Sequence, residues 1–143
     1  MRARSLRPAG KVNLIGVGML LAVCAGIWWV VIYGPLYSDH MDVTEIAGMA
    51  VSEMGNRVGE ESATLSVVRR CAGIGTHKEV DEMGEEHIVP GLGVRPEDVT
   101  IEANEKTKKV KVSISYTREV VLRPFKTVRR VHFVASRSGV YVP

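Results

Sequence analysis

Cysteine and histidine side chains near the middle of the chain supply the residue types that a thiol nucleophile needs. Cys71 follows Arg69 and Arg70, and neighbouring cations lower the pKa of a thiol. His77 or His87 could then serve as the general base. No spacing or local motif supports such a pair, so we interpret Cys71 as a buried structural thiol.

The same region contains residue types that bind metals. They are His77, Asp81, Glu82, Glu86 and His87. The two histidines are ten positions apart, which matches neither the tight-turn nor the helical spacing of zinc ligands. The chain also lacks the sequence motifs of phosphate-binding loops and dinucleotide sites. The sequence therefore predicts a protein that is not an enzyme and that uses no metal or cofactor.

Size and charge narrow the function classes further. The 143 residues correspond to about one domain, and 45% of them are hydrophobic, enough for a core. The net charge of +3 comes from residues 1–33, which contain four bases and no acid. The other 110 residues contain 15 bases and 16 acids. We therefore do not expect a nucleic-acid partner.

An uninterrupted apolar run predicts a transmembrane helix over residues 12–33. These 22 residues contain no charged side chain, and as a helix they would cross the roughly 30 Å hydrocarbon core of a bilayer. Trp28, Trp29 and Tyr33 lie near its end, where aromatic rings favour the headgroup layer. The basic tail 1–11 should remain in the cytoplasm, because Lys and Arg are retained there. We expect an inner membrane protein whose C-terminal part is periplasmic or otherwise extracytoplasmic.

Two kinds of processing compete with a permanent signal anchor. A cleaved signal peptide has a shorter apolar stretch before a small-residue site, whereas this run continues through Ile27 to Tyr33. Lipidation would use Cys24, but Val23 is a poor residue immediately before a lipidated cysteine. Cys24 is better explained as a small apolar residue of the helix.

Three small residues, Gly18, Ala22 and Gly26, recur at every fourth position and fall on one face of this helix. Small residues at this spacing let a second helix approach closely. Glycine is also common in membrane helices that have no such contact. The pattern therefore leaves open a homo-oligomer, or a contact with another membrane protein, through this face.

Residues 34–75 are expected to form the helical part of the ectodomain. Gly34-Pro35 should bend or interrupt the chain, because proline lacks the helical N–H. A second helix then begins at Asp42, which forms a capping box with Glu45, and ends at Gly55. Its apolar stripe consists of Val43, Ile46, Ala47, Ala50, Val51 and Met54.

A third helix is predicted over about residues 60–72. Leu65, Val68 and Ala72 would lie on its apolar side, and Gly73 would be its C-cap. The next segment, 76–97, contains glycines, prolines and an acidic cluster. We expect a loop there that is either mobile or contains one short element.

Residues 98–143 predict a small three-stranded antiparallel sheet. Apolar and polar residues alternate in three runs, 99–102, 110–116 and 131–135. Period two is typical of strands with one buried face. The apolar stripe of the 42–54 helix could cover that face, so the fold class is α+β.

Basic residues concentrate in the sheet half of the chain. Residues 95–143 contain 11 bases and 5 acids, whereas 38–94 contain 4 bases and 11 acids. The candidate basic surface consists of Lys106, Lys108, Lys109, Lys111, Arg129 and Arg130. It could meet anionic headgroups or an acidic partner. The favoured alternative is that these charges prevent edge pairing and attract the acidic helical half.

The run Lys11–Ile15, KVNLI, opens the apolar helix, and an amphipathic helix and a small sheet follow. This layout resembles type IV pilin-like proteins. It is more closely similar to the bacterial single-pass proteins of the DUF4845 family, on Asn13–Gly16 and on Asp98–Phe133 with its Tyr116 and Leu122. The resemblance implies a membrane-anchored, pilin-shaped module.

The residues and the resemblance together predict a non-enzymatic, single-pass membrane protein. Its extracytoplasmic module would act in protein–protein interaction or envelope assembly. Its expected partners are the lipid bilayer and other membrane or envelope proteins. A sensory or ligand-binding periplasmic domain is the alternative function.

Overall fold

One long helix, α1 (Leu14–Gly55), contains both the apolar run and the amphipathic stripe. The computed structural model describes residues 13–56, 58–122 and 125–140, and the chain divides into two compact units between Gly34 and Pro35. The predicted interruption at Gly34-Pro35 is wrong, because Pro35 lies inside α1. The predicted helix start at Asp42 is wrong for the same reason.

The continuity of α1 follows from what lies on both sides of Pro35. A proline within a helix removes one backbone hydrogen bond and costs about 3 kcal/mol. The apolar run before it is compatible with a transmembrane helix, in which all backbone hydrogen bonds are made within the helix. After it, Leu36 already begins the buried face of the helix. Asp42 is exposed within the helix, so its capping motif is not used.

The apolar part of α1 is the described portion of the first unit. Its side chains are exposed from Leu14 to Val31, and none of the most apolar 18-residue window is buried. By length and composition, this part is compatible with a transmembrane or signal-anchor helix. The predicted tail 1–11 lies outside the described residues.

The third predicted helix is confirmed as α2 (Glu60–Cys71), but its buried face differs from the predicted one. The buried residues are Ala63, Val67 and Cys71. Leu65 is 53% exposed, and Ala72 is an exposed C-cap in the ordinary helical conformation, so Gly73 is not needed as the cap. These small side chains recur at every fourth position and let α2 pack close to the rest of the core.

The predicted loop 76–97 contains a two-stranded antiparallel hairpin, β1 (Thr76–Val80) and β2 (Glu86–Pro90). Asp81 orders its turn, because its side chain accepts the backbone N–H groups of Met83 and Glu85. Gly84 has a φ of +82°, which glycine adopts at no steric cost. A short 3-10 turn, Pro96–Asp98, then leads into the main sheet.

The predicted three-stranded antiparallel sheet is confirmed. Its strands are β3 (Val99–Asn104), β4 (Lys109–Leu122) and β5 (Thr127–Val140), in the order β3-β4-β5. Strand β3 pairs with Lys109–Ile114, so among the described strands the second half of β4 pairs with β5 alone. Between β4 and β5, Phe125 lies in the turn, and residues 123 and 124 lie outside the described residues.

The core of the second unit lies between α1, α2 and one face of this sheet. The stripe residues of α1 are buried, apart from the half-buried Val51. From the sheet, the core contains Val110, Val112, Ile114 and Tyr116. Full burial of side chains of this size stabilises the fold by roughly 1.5–3 kcal/mol each. The sequence-based placement of the helical stripe against the sheet is thus confirmed, as is the α+β class.

Candidate functional site

The small-residue face lies on the exposed apolar part of α1. Gly18, Ala22 and Gly26 are all exposed and share one helix face through their four-residue spacing. A Cβ placed on Gly18 or Gly26 would meet no atom within 4 Å. A second helix could therefore approach the backbone of α1 closely along this face.

A polar cluster joins α1 to the sheet within the second unit. Arg118 of β4 donates hydrogen bonds to the Asp39 carboxylate and to the Thr76 carbonyl of β1. The side chains of Arg118 and Asp39 are only 15% and 18% exposed. This one guanidinium therefore links α1, the main sheet and the β1–β2 hairpin.

Three rings lie beside this ion pair. Nδ1 of His40 is 3.1 Å from the Tyr116 hydroxyl oxygen, and the Tyr116 and Phe133 rings stack with centroids 5.5 Å apart. Burial raises the pKa of Tyr116 to about 12, and the Asp39 carboxylate adds to the shift. The hydroxyl therefore stays protonated. Sequence reasoning missed this cluster, because its α1 and β4 members are more than 70 positions apart and form no local motif.

A groove of about 560 Å³ lies between the β1–β2 hairpin and the β4–β5 strands. Lys78 in its wall is 2.8 Å from a Glu86 carboxylate oxygen and 3.6 Å from a Glu119 carboxylate oxygen. Arg130 is 2.9 Å from the same Glu119 carboxylate. These cations are already neutralised within the protein, so the groove has little charge left with which to select a ligand.

The structure brings together a different set of potential metal ligands from the one named in the sequence analysis. Among the described residues, Asp81, Glu85 and His87 have ligand atoms within 4.8 Å of one another, and all three are exposed. Hydrogen bonds from Glu85 and His87 lower the pKa of Asp81. His77 lies elsewhere, with Nδ1 at 2.8 Å from the Gly91 carbonyl oxygen. The cluster is explained by the hairpin turn that it stabilises.

Cys71 is fully buried in the core, as the sequence interpretation expected. Burial raises the pKa of its thiol to about 11 from an ordinary value of 9.0. The thiol is therefore protonated near neutral pH and shielded from solvent, the opposite of what a nucleophile needs. The neighbouring Arg69 and Arg70 are exposed on α2 and do not offset this burial.

The six candidate basic residues are all exposed, but they form two groups at opposite ends of the sheet. Lys106, Lys108, Lys109 and Lys111 belong to the β3–β4 turn and the start of β4. Arg129 and Arg130 lie at the other end, opposite Val120 and Glu119. Lys109 and Glu119 are ten positions apart in β4, which corresponds to about 33 Å. A single flat ligand would have to span that distance to contact both groups.

A scan against protein-family models, a search of curated proteins and a search of solved structures each returned no match. The resemblance to pilin-like proteins therefore stays a prediction from the sequence.

Proposed function

We propose that the protein is a non-enzymatic, single-pass membrane protein whose α+β module acts in protein–protein interaction within an envelope assembly. The observation that carries the proposal is the fully exposed apolar half of α1, joined to a unit with its own buried core. So much exposed apolar surface is costly in water and is accommodated by lipid. We also propose that the module is pilin-like; a long N-terminal helix whose second half packs on an antiparallel sheet supports this.

In the proposed topology, residues 1–11 face the cytoplasm of a bacterial inner membrane and residues 34–143 lie outside it. Four Lys or Arg residues precede the apolar run, and Arg57 is the first Lys or Arg after it. Positive flanking charge on one side only is typical of the cytoplasmic end of a membrane helix.

Assembly is proposed to use the small-residue face of α1. Replacing both Gly18 and Gly26 by Ile places branched side chains where a second backbone would approach. The matched control is Cys24→Ile, because position 24 lies on roughly the opposite side of the helix. Affinity purification in mild detergent, followed by mass spectrometry, should lose its partners only in the glycine variant. Equal partner recovery from both variants would contradict this assembly role.

A further inference from the structure

Exposed apolar side chains lie at the end of the β4–β5 hairpin. Phe125 in the turn is 80% exposed, and Val121 and Val128 are 48% and 50% exposed. Val121 and Val128 are direct partners in the strand register and therefore share one face. Such side chains have no role in the core of the unit.

The same hairpin end also carries basic residues. Lys126 and Arg129 are exposed, and neither forms an ion pair with any described residue. No acid occurs in the sequence after Glu119. Exposed apolar side chains interspersed with unpaired cations are typical of surfaces that bind an anionic lipid interface.

The direction in which the hairpin points follows from its contacts with α1. Position Gly55 adjoins the Val140 carbonyl, and the His40 ring lies 5.2 Å from the Phe133 ring. The 15 residues from His40 to Gly55 rise about 22 Å as a helix, and the seven from Phe133 to Val140 extend about 23 Å as a strand. The two elements therefore run side by side with their axes nearly parallel.

Beyond these contacts, the hairpin continues toward the Pro35 end of the second unit. Arg118 contacts Asp39, and the strand runs four residues further, to Leu122, or about 13 Å. Over the same direction, the helix from Asp39 to Pro35 covers only about 6 Å. Pro35 follows the apolar run directly, so this end of the unit is the one attached to the proposed membrane helix.

We propose that the end of the β4–β5 hairpin rests on the headgroup layer of the bilayer that anchors the chain. Val121, Phe125 and Val128 enter the interface, and Lys126 and Arg129 bind anionic headgroups. This inference rests on the proposed membrane anchor. The lysines of the β3–β4 turn lie at the far end of the sheet and take no part.

The test uses the full chain with Cys24→Ser in lipid nanodiscs, where the aqueous phase reaches both bilayer faces. Phe125→Cys carries an environment-sensitive fluorophore, and Thr107→Cys, in the β3–β4 turn, is the matched control. Cys71 is buried and stays unlabelled. Acrylamide in the aqueous phase reports which label is shielded. The lipids are phosphatidylcholine alone and an equal mixture with phosphatidylglycerol.

We expect the label at position 125 to be shielded in the anionic mixture, and the label at position 107 to be quenched in both lipids. Each Lys or Arg near an anionic surface increases binding about five-fold. Lys126→Gln combined with Arg129→Gln should therefore shift the equilibrium from the bound to the free hairpin about 25-fold. The charge-matched variant, Lys106→Gln with Lys108→Gln, should leave the shielding unchanged.

Equal quenching at positions 125 and 107 in the anionic nanodiscs would overturn the inference. So would an equal loss of shielding in the two charge variants. Flotation of the unlabelled chain with phosphatidylcholine vesicles separates this failure from failure of the anchor. A chain that floats but leaves position 125 quenched refutes only the hairpin contact, whereas a chain that does not float refutes both proposals.

Discussion

The close approach of α1 to Gly139 of the sheet supplies a sharp test of the fold. A Cβ added at Gly139 of β5 would stand 2.5 Å from Cγ1 of Val51 on α1. Carbon atoms in ordinary contact are about 3.5–4.0 Å apart. Gly139→Ala must therefore push the helix and sheet apart or displace the stiff, β-branched valine.

The expected cost follows from that overlap. Overpacking a core by one methyl group costs roughly 1–3 kcal/mol of unfolding free energy. Elsewhere in a strand, replacing glycine by alanine would be stabilising by roughly 0.5–1 kcal/mol, so the sign of the effect is diagnostic. Val51→Ala removes the opposing methyl groups at a cost of roughly 1 kcal/mol by itself. The double variant should lose less unfolding free energy than the two single variants lose together, because the space left by the valine accepts the new Cβ.

The buried thiol of Cys71 makes the measurement possible in the full chain. In a Cys24→Ser background in mild detergent, a thiol reagent modifies Cys71 only when the core opens. A loss of roughly 1–3 kcal/mol corresponds to labelling that is roughly 5- to 150-fold faster. Ser138→Ala, at an exposed position of the same strand, is the control and should label at the parent rate. A neutral or slower-labelling Gly139→Ala variant would refute the helix–sheet contact described above.

Three further perturbations test other parts of the second unit. Burial raises the Cys71 pKa from 9.0 to about 11, so part of the unfolding free energy present below pH 9 should be lost as the pH rises towards 11. In urea titrations, the unfolding free energy of Cys71→Ala should depend less on pH over this range than that of the parent chain. Arg118→Met should lower the unfolding free energy in urea by roughly 1–3 kcal/mol, since it leaves a half-buried carboxylate unpaired, whereas Arg130→Met, 79% exposed, should cost less than about 1 kcal/mol. Gly91→Ala, at φ +94° and with its Cβ 2.8 Å from a backbone oxygen, should reduce the melting temperature more than Gly84→Ala, where the added Cβ meets no atom; equal shifts would contradict this packing.

Structural elements with a periodic sequence pattern were predicted well, because the pattern depends on the local geometry of the helix or strand. Alternation along β3, β4 and β5 identifies a buried face wherever one face is apolar. The stripe from Val43 to Met54 likewise identifies the helix face that covers the sheet. These two patterns were sufficient for the α+β class and for most of the core.

Local motifs were less reliable, because the surroundings decide whether a motif is used. The Asp42 capping box is real as a sequence pattern but lies in the interior of α1. The β1–β2 hairpin was missed because both strands are short and almost wholly exposed, so neither shows the alternation of a strand with one buried face. Its signal was the turn from Asp81 to Gly84, a short glycine-containing loop between two runs.

The sequence by itself determined that residues 12–33 are apolar enough for lipid and that the later residues build a helix-covered sheet. Those properties depend on composition and on periods of a few residues. Only the tertiary structure decided which face of α2 is buried, how Asp39 meets Arg118, and that the basic residues separate to two ends of the sheet. Residues far apart in the chain meet through packing. Basic residues of one strand lie far apart, because an extended strand rises about 3.3 Å per residue.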